Sequence, residues 1–359
     1  FKQKTAYEML RSLVGSEMCI RDRSSILLIF CGNIYSQKQE FIKNLESDID
    51  NGLYPKTTSI IVSNRDKVVY ENYFEGKNKF DKHDTRSVTK SMTSLFLGNM
   101  ILNGYLSNEE QLINTVKGYD FKDKRNDELT FKDLLTMTSS FDANDSDSNS
   151  SGNEDKMHTN NNWEEWILSL PYDDKYKRDS LGMGQFRYAT TNTTFLGIIM
   201  EDITGNLNEY LNKNIFHPMN IKDYSFQYSP SSEILMGGGL KLTSRDLLKF
   251  GQIILNNGMY NKTKIVSKNW VNKMTTVYKT DEDSGSGYGY LIWNYDFPYK
   301  QNSINCWFMA GNGGNIILIS KEIDTVIVIT RENFNSSNMA METIQIVSNY
   351  LIPFVKEGV

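Results

Sequence analysis

Residues 87–106 read SVTKSMTSLFLGNMILNGYL, and this stretch decides the fold and the chemistry that we predict for the chain. Its apolar spacing predicts an amphipathic helix that begins at Ser87 and stops near Asn103-Gly104. Because residues three apart share a helix face, Lys90 is expected beside Ser87. A serine needs a neighbouring base to act as a nucleophile, and a helix N-terminus favours a developing negative charge. The spacing therefore predicts a Ser-Lys acyl-transfer centre, although this pattern alone is common and needs support from the rest of the chain.

The composition indicates a globular protein that can bury a substantial core. The chain has 359 residues, of which 39% are hydrophobic and 12% are aromatic. This length suits one large domain or two closely packed lobes. The net charge of -5 gives no reason to expect a nucleic acid or an anionic membrane as a partner.

The first 36 residues are predicted to lie outside the folded domain. Residues 1–23 include LVGSEMCIRDR, which resembles translated adaptor sequence, and we interpret them as non-native readthrough. Residues 24–36 contain an apolar stretch, preceded by arginines, that is too short to span a bilayer. It resembles the remnant of a signal peptide cleaved near Ser36, although a buried strand or short helix is the alternative. The signal-peptide interpretation predicts a secreted or periplasmic bacterial protein.

Cysteine and histidine usage predicts no disulfide, no metal and no cofactor. Beyond residue 36 the sequence has one cysteine, Cys306, which we interpret as a small hydrophobic residue in the core of a strand. The chain has no H-E-x-x-H motif. Residues 142–162 are rich in Asp, Asn and Ser, but an EF-hand loop from Asp145 would need Gly where Ser150 stands and Glu where Lys156 stands. We therefore predict a flexible, solvated loop there rather than a calcium site.

The order of predicted elements indicates an α+β fold. A helical pattern over 37–50 precedes two strands, the middle of the chain is mainly helical, and strands dominate before a last helix over 339–351. The predicted strands are 58–63, 67–74, 288–293, 304–309, 316–319 and 325–330. We therefore predict one domain over 37–359, in which N- and C-terminal helices flank an antiparallel sheet that both ends of the chain complete. A mainly helical lobe, roughly 105–235, is inserted into it.

Six segments, of which the first contains Ser87 and Lys90, occur along the chain in the order that is typical of one enzyme family. They are HDTRSVTK (83–90), LTFKDLLTMTSS (129–140), FRYATTNTTFLGIIMEDITG (186–205), GGGLKLTSRDLLKFG (237–251), GYGYLIW (287–293) and AGNGGN (310–315). Together they resemble the penicillin-recognising serine hydrolases, which comprise class C-type β-lactamases, DD-peptidases and related esterases and amidases. The resemblance extends over roughly residues 58–346 and implies a β-lactamase/transpeptidase-like fold.

The resemblance also implies roles for the residues of the site. Ser87 would be the nucleophile, Lys90 its activating base, and Tyr188 the residue that relays a proton between the serine and the leaving group. The N–H groups of Ser87 and of a residue near Gly311 would form the oxyanion hole, since glycine lets the main chain approach a ligand closely. The rest of the predicted oxyanion and substrate-binding set is Asn312, Gly313 and Asn192.

Two departures from the family pattern bear on the substrate. The tyrosine segment reads YATTN (188–192) where many members have Tyr-x-Asn, and this spacing is closer to 6-aminohexanoate-dimer hydrolases and carboxylesterases. Asn192 then either caps the following helix or contacts the substrate. Phe308 stands where β-lactamases and DD-peptidases usually carry the cation or histidine of Lys-Thr-Gly or His-x-Gly. The missing cation would weaken the binding of a substrate carboxylate and argues against a dedicated β-lactamase.

The favoured function is an exported serine hydrolase that cleaves a small-molecule ester, amide or peptide through a Ser87 acyl-enzyme. A true β-lactamase or DD-peptidase is one alternative, and a non-catalytic peptide- or peptidoglycan-binding module on the same fold is another. His83 lies four residues before Ser87. No hydrolase motif surrounds it and Lys90 is available as a base, so we predict a structural role for this histidine.

Overall fold

The computed structural model describes residues 38–357, so the predicted readthrough and signal peptide lie outside the described residues. The chain divides into two compact units. The larger is residues 54–344, which contain the predicted site residues, and the smaller combines the described residues 38–53 with 345–357. Between residues 38 and 357, no helix combines the length and the apolar composition needed to cross a membrane.

The smaller unit is formed by helical segments from the two ends of the described chain. Its first helix covers residues 38–50. The Tyr350 hydroxyl donates a hydrogen bond to the Asp48 carboxylate, and the Lys38 ammonium lies 5.0 Å from the centroid of the Phe354 ring. The two segments therefore contact each other through polar and cation–π interactions.

The larger unit is organised by one antiparallel sheet. Among its residues the strands are β1 (Thr57–Asn64), β2 (Lys67–Tyr73), β3 (Lys82–Asp84), β4 (Lys241–Thr243), β5 (Met259–Tyr260), β6 (Thr263–Lys264), β7 (Lys279–Thr280), β8 (Gly287–Tyr288), β9 (Trp293–Tyr299), β10 (Asn302–Gly311), β11 (Asn315–Ser320) and β12 (Thr325–Arg331). Eight of them form the sheet in the order β2-β1-β12-β11-β10-β9-β8-β7. Separately, β3 pairs with β4 and β5 pairs with β6.

Strands from distant parts of the sequence are neighbours in this sheet. β1 pairs with β12, with Ile61 opposite Val328. β11 and β12 are buried along their whole length, which explains why their sequences are nearly continuous apolar runs. The predicted α+β fold, with an antiparallel sheet completed by strands from both ends of the chain, is confirmed.

Most of the helices lie between β3 and β4 in the sequence. The helices of the described chain are α1 (38–50), α2 (Val88–Leu102), α3 (Asn114–Lys117), α4 (Phe131–Leu135), α5 (Glu154–His158), α6 (Trp163–Leu168), α7 (Thr190–Thr204), α8 (Leu207–Leu211), α9 (Ser244–Leu255), α10 (Lys268–Met274), α11 (Met339–Ile346) and α12 (Ile352–Lys356). Helices α2 to α8 therefore form the helical insertion between the first and last strands of the sheet.

Helix α2 is the predicted Ser87 helix, and it is buried on every face. Ser87 is its N-cap residue, and all residues from Val88 to Met100 are buried. The expectation of an amphipathic helix is therefore wrong, because protein surrounds the helix rather than covering one stripe of it. Gly98 permits this close packing, since a Cβ added there would lie 2.3 Å from the Trp270 side chain.

Two other local predictions need correction. The predicted strand 288–293 is interrupted between β8 and β9, where Gly289 donates to the Ile292 carbonyl at 2.8 Å and Leu291 adopts a φ of 58°. The segment 142–162 is not a solvated loop throughout. It contains α5, and the Asn153 side chain donates hydrogen bonds to the carbonyl groups of three residues in the segment, which are Asn144, Asp145 and Asp147.

Cys306 is a buried free thiol on β10, as predicted. Burial raises the pKa of this thiol to about 12. The group therefore stays protonated at neutral pH and acts as a small hydrophobic residue in the core.

Candidate active site

Ser87 and Lys90 are in hydrogen-bond contact at the start of α2. The Lys90 amine donates to the Ser87 hydroxyl at 3.0 Å and to the Gly237 carbonyl at 2.8 Å. Only 1% of Lys90 is exposed. The helical spacing predicted from the sequence therefore brings an amine onto a serine at a helix N-terminus, where developing negative charge is favoured.

The turn before Ser87 is strained. Arg86 adopts a φ of 52°, in the left-handed region, which costs a residue other than glycine about 1–2 kcal/mol. Its guanidinium lies 4.6 Å from the centroid of the Phe334 ring and pairs with Asp84 at 3.4 Å. These contacts stabilise the turn that directly precedes Ser87. Such strain is typical of functional sites, and the sequence carried no signal for it.

Tyr188 is the third predicted catalytic residue, and it lies close to Lys90. The Lys90 amine lies 5.0 Å from the centroid of the Tyr188 ring, which stacks on Trp293 at 5.7 Å with an interplanar angle of 26°. Ser87 and Tyr188 both line the same cavity. The structure thus brings together all three side chains that the sequence analysis singled out for proton transfer.

Gly311 brings the end of β10 against the Ser87 turn. A Cβ added to Gly311 would lie 1.9 Å from the Thr85 carbonyl oxygen and 3.2 Å from the Ser87 nitrogen. A side chain therefore cannot be accommodated there without moving the main chain. This approach sets the Gly311 main chain beside the Ser87 N–H, as an oxyanion hole requires.

Asn312 and Gly313 form the turn after β10. The Asn312 amide donates to the Asn335 side chain at 2.7 Å and accepts from the Asn335 N–H at 2.8 Å. Gly313 has a φ of 94°, and a Cβ there would lie 2.8 Å from the Phe334 ring and 2.9 Å from the Arg331 carbonyl. Asn312 lines the cavity, whereas Gly313 faces the protein and keeps the turn closed.

The structure corrects the prediction for Asn192. Helix α7 has Ala189 as its N-cap, and Asn192 lies inside the first turn. The Asn192 side chain accepts a hydrogen bond from the Ser139 hydroxyl at 2.8 Å and donates to the Met137 sulfur at 3.4 Å. The capping interpretation is therefore wrong. Asn192 is 1% exposed and is not among the residues that line the cavity.

Asp145 supplies the missing cap from a distant part of the chain. Its carboxylate accepts hydrogen bonds from the Thr190 N–H at 2.7 Å and from the Thr190 hydroxyl at 2.8 Å. Sequence reasoning missed this residue, because it lies 45 positions before its partner in a segment that was interpreted as a solvated loop. We call the set Ser87, Lys90, Asp145, Tyr188 and Gly237 the polar corner.

The cavity beside the polar corner has a volume of about 540 Å³. Trp293, Tyr295 and Phe297 alternate along β9 and share a sheet face, and Phe308 lies opposite Trp293 on β10. The residues that line the cavity are Ser87, Tyr188, Asp281, Ser284, Ser286, Trp293, Tyr295, Phe297, Phe308, Ala310, Gly311, Asn312, Gly314, Asn315, Ile316, Met339, Ala340, Thr343 and Ile344. We call this space the sheet-face cavity. Among its described lining residues, Asp281 is the one with a charged side chain.

His83 occupies a structural position on β3. Its ring nitrogen Nδ1 lies 3.3 Å from the Thr58 hydroxyl, and 3% of the residue is exposed. Burial, with a smaller effect from the nearby Lys77 ammonium, lowers the pKa of His83 to about 4. The ring is therefore neutral at neutral pH. It is also not among the described lining residues of the sheet-face cavity.

Comparison with known families and structures places the chain among related proteins. The family model described as Beta-lactamase matches residues 56–346, which is most of the chain. A 6-aminohexanoate-dimer hydrolase from Paenarthrobacter ureafaciens is 23% identical over 269 residues. That match covers 72% of this chain and 66% of the relative, so the chain spans just under two thirds of the relative's length.

Two solved structures illustrate the likeness in fold. A penicillin-binding protein homologue from Caulobacter crescentus has a TM-score of 0.66 at 10% identity, over 89% of this chain and 97% of its own. A D-stereospecific amidohydrolase from a Streptomyces species has a TM-score of 0.60 at 14% identity, over 80% of this chain and 93% of its own. At such low identity these likenesses concern the fold alone.

Proposed function

We propose that this chain, which belongs to the beta-lactamase family, is a serine hydrolase that cleaves an ester or amide bond through an acyl-enzyme on Ser87. One observation carries the proposal. The Lys90 amine lies 3.0 Å from the Ser87 hydroxyl, at the edge of a cavity large enough for a small molecule.

The chemistry proceeds in two halves. Ser87 Oγ attacks the substrate carbonyl carbon while Lys90 Nζ accepts the hydroxyl proton. The oxyanion that forms is stabilised by the N–H groups of Ser87 and Gly311. As the tetrahedral intermediate collapses, the bond to the leaving group breaks, and Tyr188 relays the proton from Lys90 to that group.

Water then releases the acyl group. The water attacks the acyl-enzyme carbonyl and gives its proton to the Tyr188–Lys90 pair. Collapse of the second intermediate breaks the bond to Ser87 Oγ, which takes the proton back. The products are a carboxylic acid and the alcohol or amine released in the first half.

The sheet-face cavity favours a neutral, apolar acyl group. Five of its described lining residues are aromatic, and the one with a charged side chain is Asp281. A carboxylate on the substrate would face no cation among these described lining residues and would be repelled by Asp281. We therefore propose that the natural substrate presents an uncharged aliphatic or aromatic acyl chain to this cavity.

A β-lactamase or DD-peptidase is the second candidate, because family membership also fits it. Phe308 disfavours it, since this aromatic ring lines the cavity where a carboxylate-binding cation would be needed. A chromogenic cephalosporin assayed beside short-chain nitrophenyl esters separates the two candidates. We expect faster turnover of the esters, and efficient cephalosporin hydrolysis would instead support the β-lactamase.

Covalent labelling tests the nucleophile directly. We expect a fluorophosphonate probe to add one adduct to the wild-type protein, detected by intact mass, and none to Ser87→Ala. Ser94→Ala is the matched control, because Ser94 lies on the same helix and its buried hydroxyl has no hydrogen-bond partner among the described residues. An unlabelled wild-type protein would favour the non-catalytic binding module, and equal labelling of Ser87→Ala would show that the probe reacts at another residue.

We also propose that the protein is exported from the cytoplasm. The support for export is the apolar stretch within residues 24–36, which is too short to span a bilayer and is followed by the polar residues Tyr35, Ser36 and Gln37. Expression of the chain in a bacterial host followed by N-terminal sequencing tests this point. We expect a mature start near residue 37 in the periplasmic or culture fraction, and an uncleaved chain in the cytoplasm would contradict it.

A further inference from the structure

Asp145 joins its own segment, residues 142–162, to the start of α7 at the polar corner. One carboxylate oxygen accepts both hydrogen bonds from Thr190, and the other accepts from the Glu154 N–H at 3.1 Å. The Asp145 N–H in turn donates to the Tyr188 carbonyl at 2.9 Å. One residue therefore holds the chain on both sides of Ala189.

These bonds replace a local helix cap. The first N–H groups of a helix have no partner within the helix, and Ala189 has no side chain that could accept from them. The Asp145 carboxylate satisfies one of them, and its negative charge is favoured at the helix N-terminus. Tyr188 directly precedes this cap, so its position depends on an acceptor supplied by another segment.

Asp145 is linked to Lys90 as well as to Tyr188. A Cβ added to Gly237 would lie 2.5 Å from the Thr190 methyl group, so Thr190 packs directly on Gly237. The Gly237 carbonyl accepts from Lys90, whose amine lies over the Tyr188 ring. Burial raises the pKa of the Asp145 carboxyl, whereas the charge of Lys90 and the bonds from Thr190 act in the opposite direction.

We propose that Asp145 is a positioning residue for the acyl-transfer reaction. By holding Tyr188 and Thr190, it sets the Tyr188 ring and the Gly237 carbonyl around Lys90, and it thereby places the Lys90 amine on Ser87. The inference rests on the proposed function, in which Lys90 and Tyr188 move the proton. Asp145 is not among the lining residues of the sheet-face cavity, so it acts through these residues and not on the substrate.

Pre-steady-state acylation by a short-chain nitrophenyl ester tests the role. Misplacement of reacting groups by about 1 Å can cost on the order of a hundredfold in rate. We expect Asp145→Ala to slow the burst of nitrophenol by about that factor while the dissociation constant of the ester, taken from the same burst data, changes little, because the cavity is built by other residues. Asp145→Asn keeps one acceptor oxygen for Thr190, so we expect it to recover part of the lost rate.

Asp142→Ala is the matched control. The Asp142 carboxylate lies in the same segment and accepts hydrogen bonds from the N–H and hydroxyl of Ser151. We expect Asp142→Ala to acylate at the wild-type rate. If Asp145→Ala fails to fold, Thr190→Val removes the hydroxyl contact and keeps the peptide N–H, and we expect it to slow acylation with the dissociation constant of the ester unchanged.

The outcomes separate this inference from the proposed function. A folded Asp145→Ala protein that acylates at the wild-type rate would overturn the positioning role alone, while wild-type labelling at Ser87 would still support the hydrolase. An equal loss in Asp142→Ala would also overturn it, because the effect would then come from the segment as a whole. A wild-type protein with neither burst nor label would overturn the proposed function itself.

Discussion

The polar corner and the sheet-face cavity share a boundary at Ser87 and Tyr188, but they are built in different ways. In the polar corner the Lys90 amine bonds to both Ser87 and Gly237. In the cavity, the described lining residues are mainly uncharged, and five of the nineteen are aromatic. Its buried amide Asn315 is already bonded to protein, since it donates to the Asn312 carbonyl at 2.7 Å and accepts from the Arg331 N–H at 3.0 Å.

This difference predicts different consequences of mutation. The parts of the polar corner depend on one another, so the loss of one group disturbs the proton path and lowers kcat. The cavity wall consists of alternate residues on neighbouring strands, and each contributes contact area. A change there alters which acyl group is accepted while leaving the chemical groups in place.

Lys90→Met is the sharpest test of the polar corner. Methionine keeps much of the buried volume but removes the amine that contacts Ser87 and Gly237. We expect kcat for ester hydrolysis to fall by roughly 10²–10⁴-fold, the usual contribution of a general base. Steady-state kinetics with a nitrophenyl ester measures this. A variant that keeps the wild-type kcat would show that another group activates Ser87.

Gly311→Ala tests the boundary between the two regions. The new Cβ would overlap the Thr85 carbonyl, so the main chain must move away from the Ser87 N–H. We expect a loss in kcat of about 10²–10³-fold, as for the removal of an oxyanion donor. Gly289→Ala is the matched control, because its Cβ would lie 2.1 Å from the Met274 carbonyl. We expect that control to lower stability but keep kcat in its folded fraction, and equal losses of kcat would contradict the oxyanion role.

Phe308→Lys tests the cavity. The substitution puts a cation on the aromatic wall opposite Trp293. Hydrogen bonds to charged groups contribute about 1.5–3 kcal/mol, so the preference for an anionic acyl group over a neutral one should rise roughly tenfold to hundredfold. The ratio of kcat/KM for the nitrophenyl monoester of adipic acid and for nitrophenyl hexanoate measures it. Phe308→Leu should keep the neutral preference, and a wild-type enzyme that prefers the anionic ester would refute the proposed acyl group.

His83 lies outside both regions and should affect stability only. Folding lowers the pKa of His83 from the usual 6.5 to about 4. Between these two pH values the unfolded chain therefore binds the proton more tightly than the folded protein does. The contribution of His83 to stability is complete above pH 6.5 and is lost as pH falls towards 4. Between pH 7.5 and 4.5, the free energy of unfolding of the wild type should fall by about 2–3 kcal/mol more than that of His83→Gln.

Urea denaturation at the two pH values measures this difference. His217→Gln is the control, because His217 is exposed whereas His83 is buried. The same pH dependence in His83→Gln and in the wild type would show that other groups account for the loss of stability.

Several sequence predictions held because they concern neighbours in the chain. The spacing of Ser87 and Lys90 follows from helix geometry, and the contact is found. The absence of a cation on β10 follows from its residue order, and Phe308 indeed lines the cavity. Cys306 is buried on its strand, as an apolar position in a strand pattern predicts.

The predictions that were wrong depend on contacts that form only when the chain folds. Asn192 satisfied the local rules for a helix cap, yet tertiary contacts put it inside the first turn and gave the cap to Asp145. The composition of residues 142–162 indicated exposure to solvent, but polar side chains can also be satisfied by main-chain groups that only the folded chain brings near. Asn153 and Asp145 are bonded in this way.

The sequence by itself determined the contact between Ser87 and Lys90, on which the proposed chemistry rests, and the lack of a cation on β10, because helix and strand geometry relate residues a few positions apart. Only the tertiary structure decided which groups surround that pair. The Gly311 main chain reaches Ser87, and Asp145 reaches Thr190, because packing brings together segments that are far apart in the sequence. Such contacts depend on the whole core rather than on local spacing. They determine which groups lie around Ser87 and Lys90 for the proposed reaction.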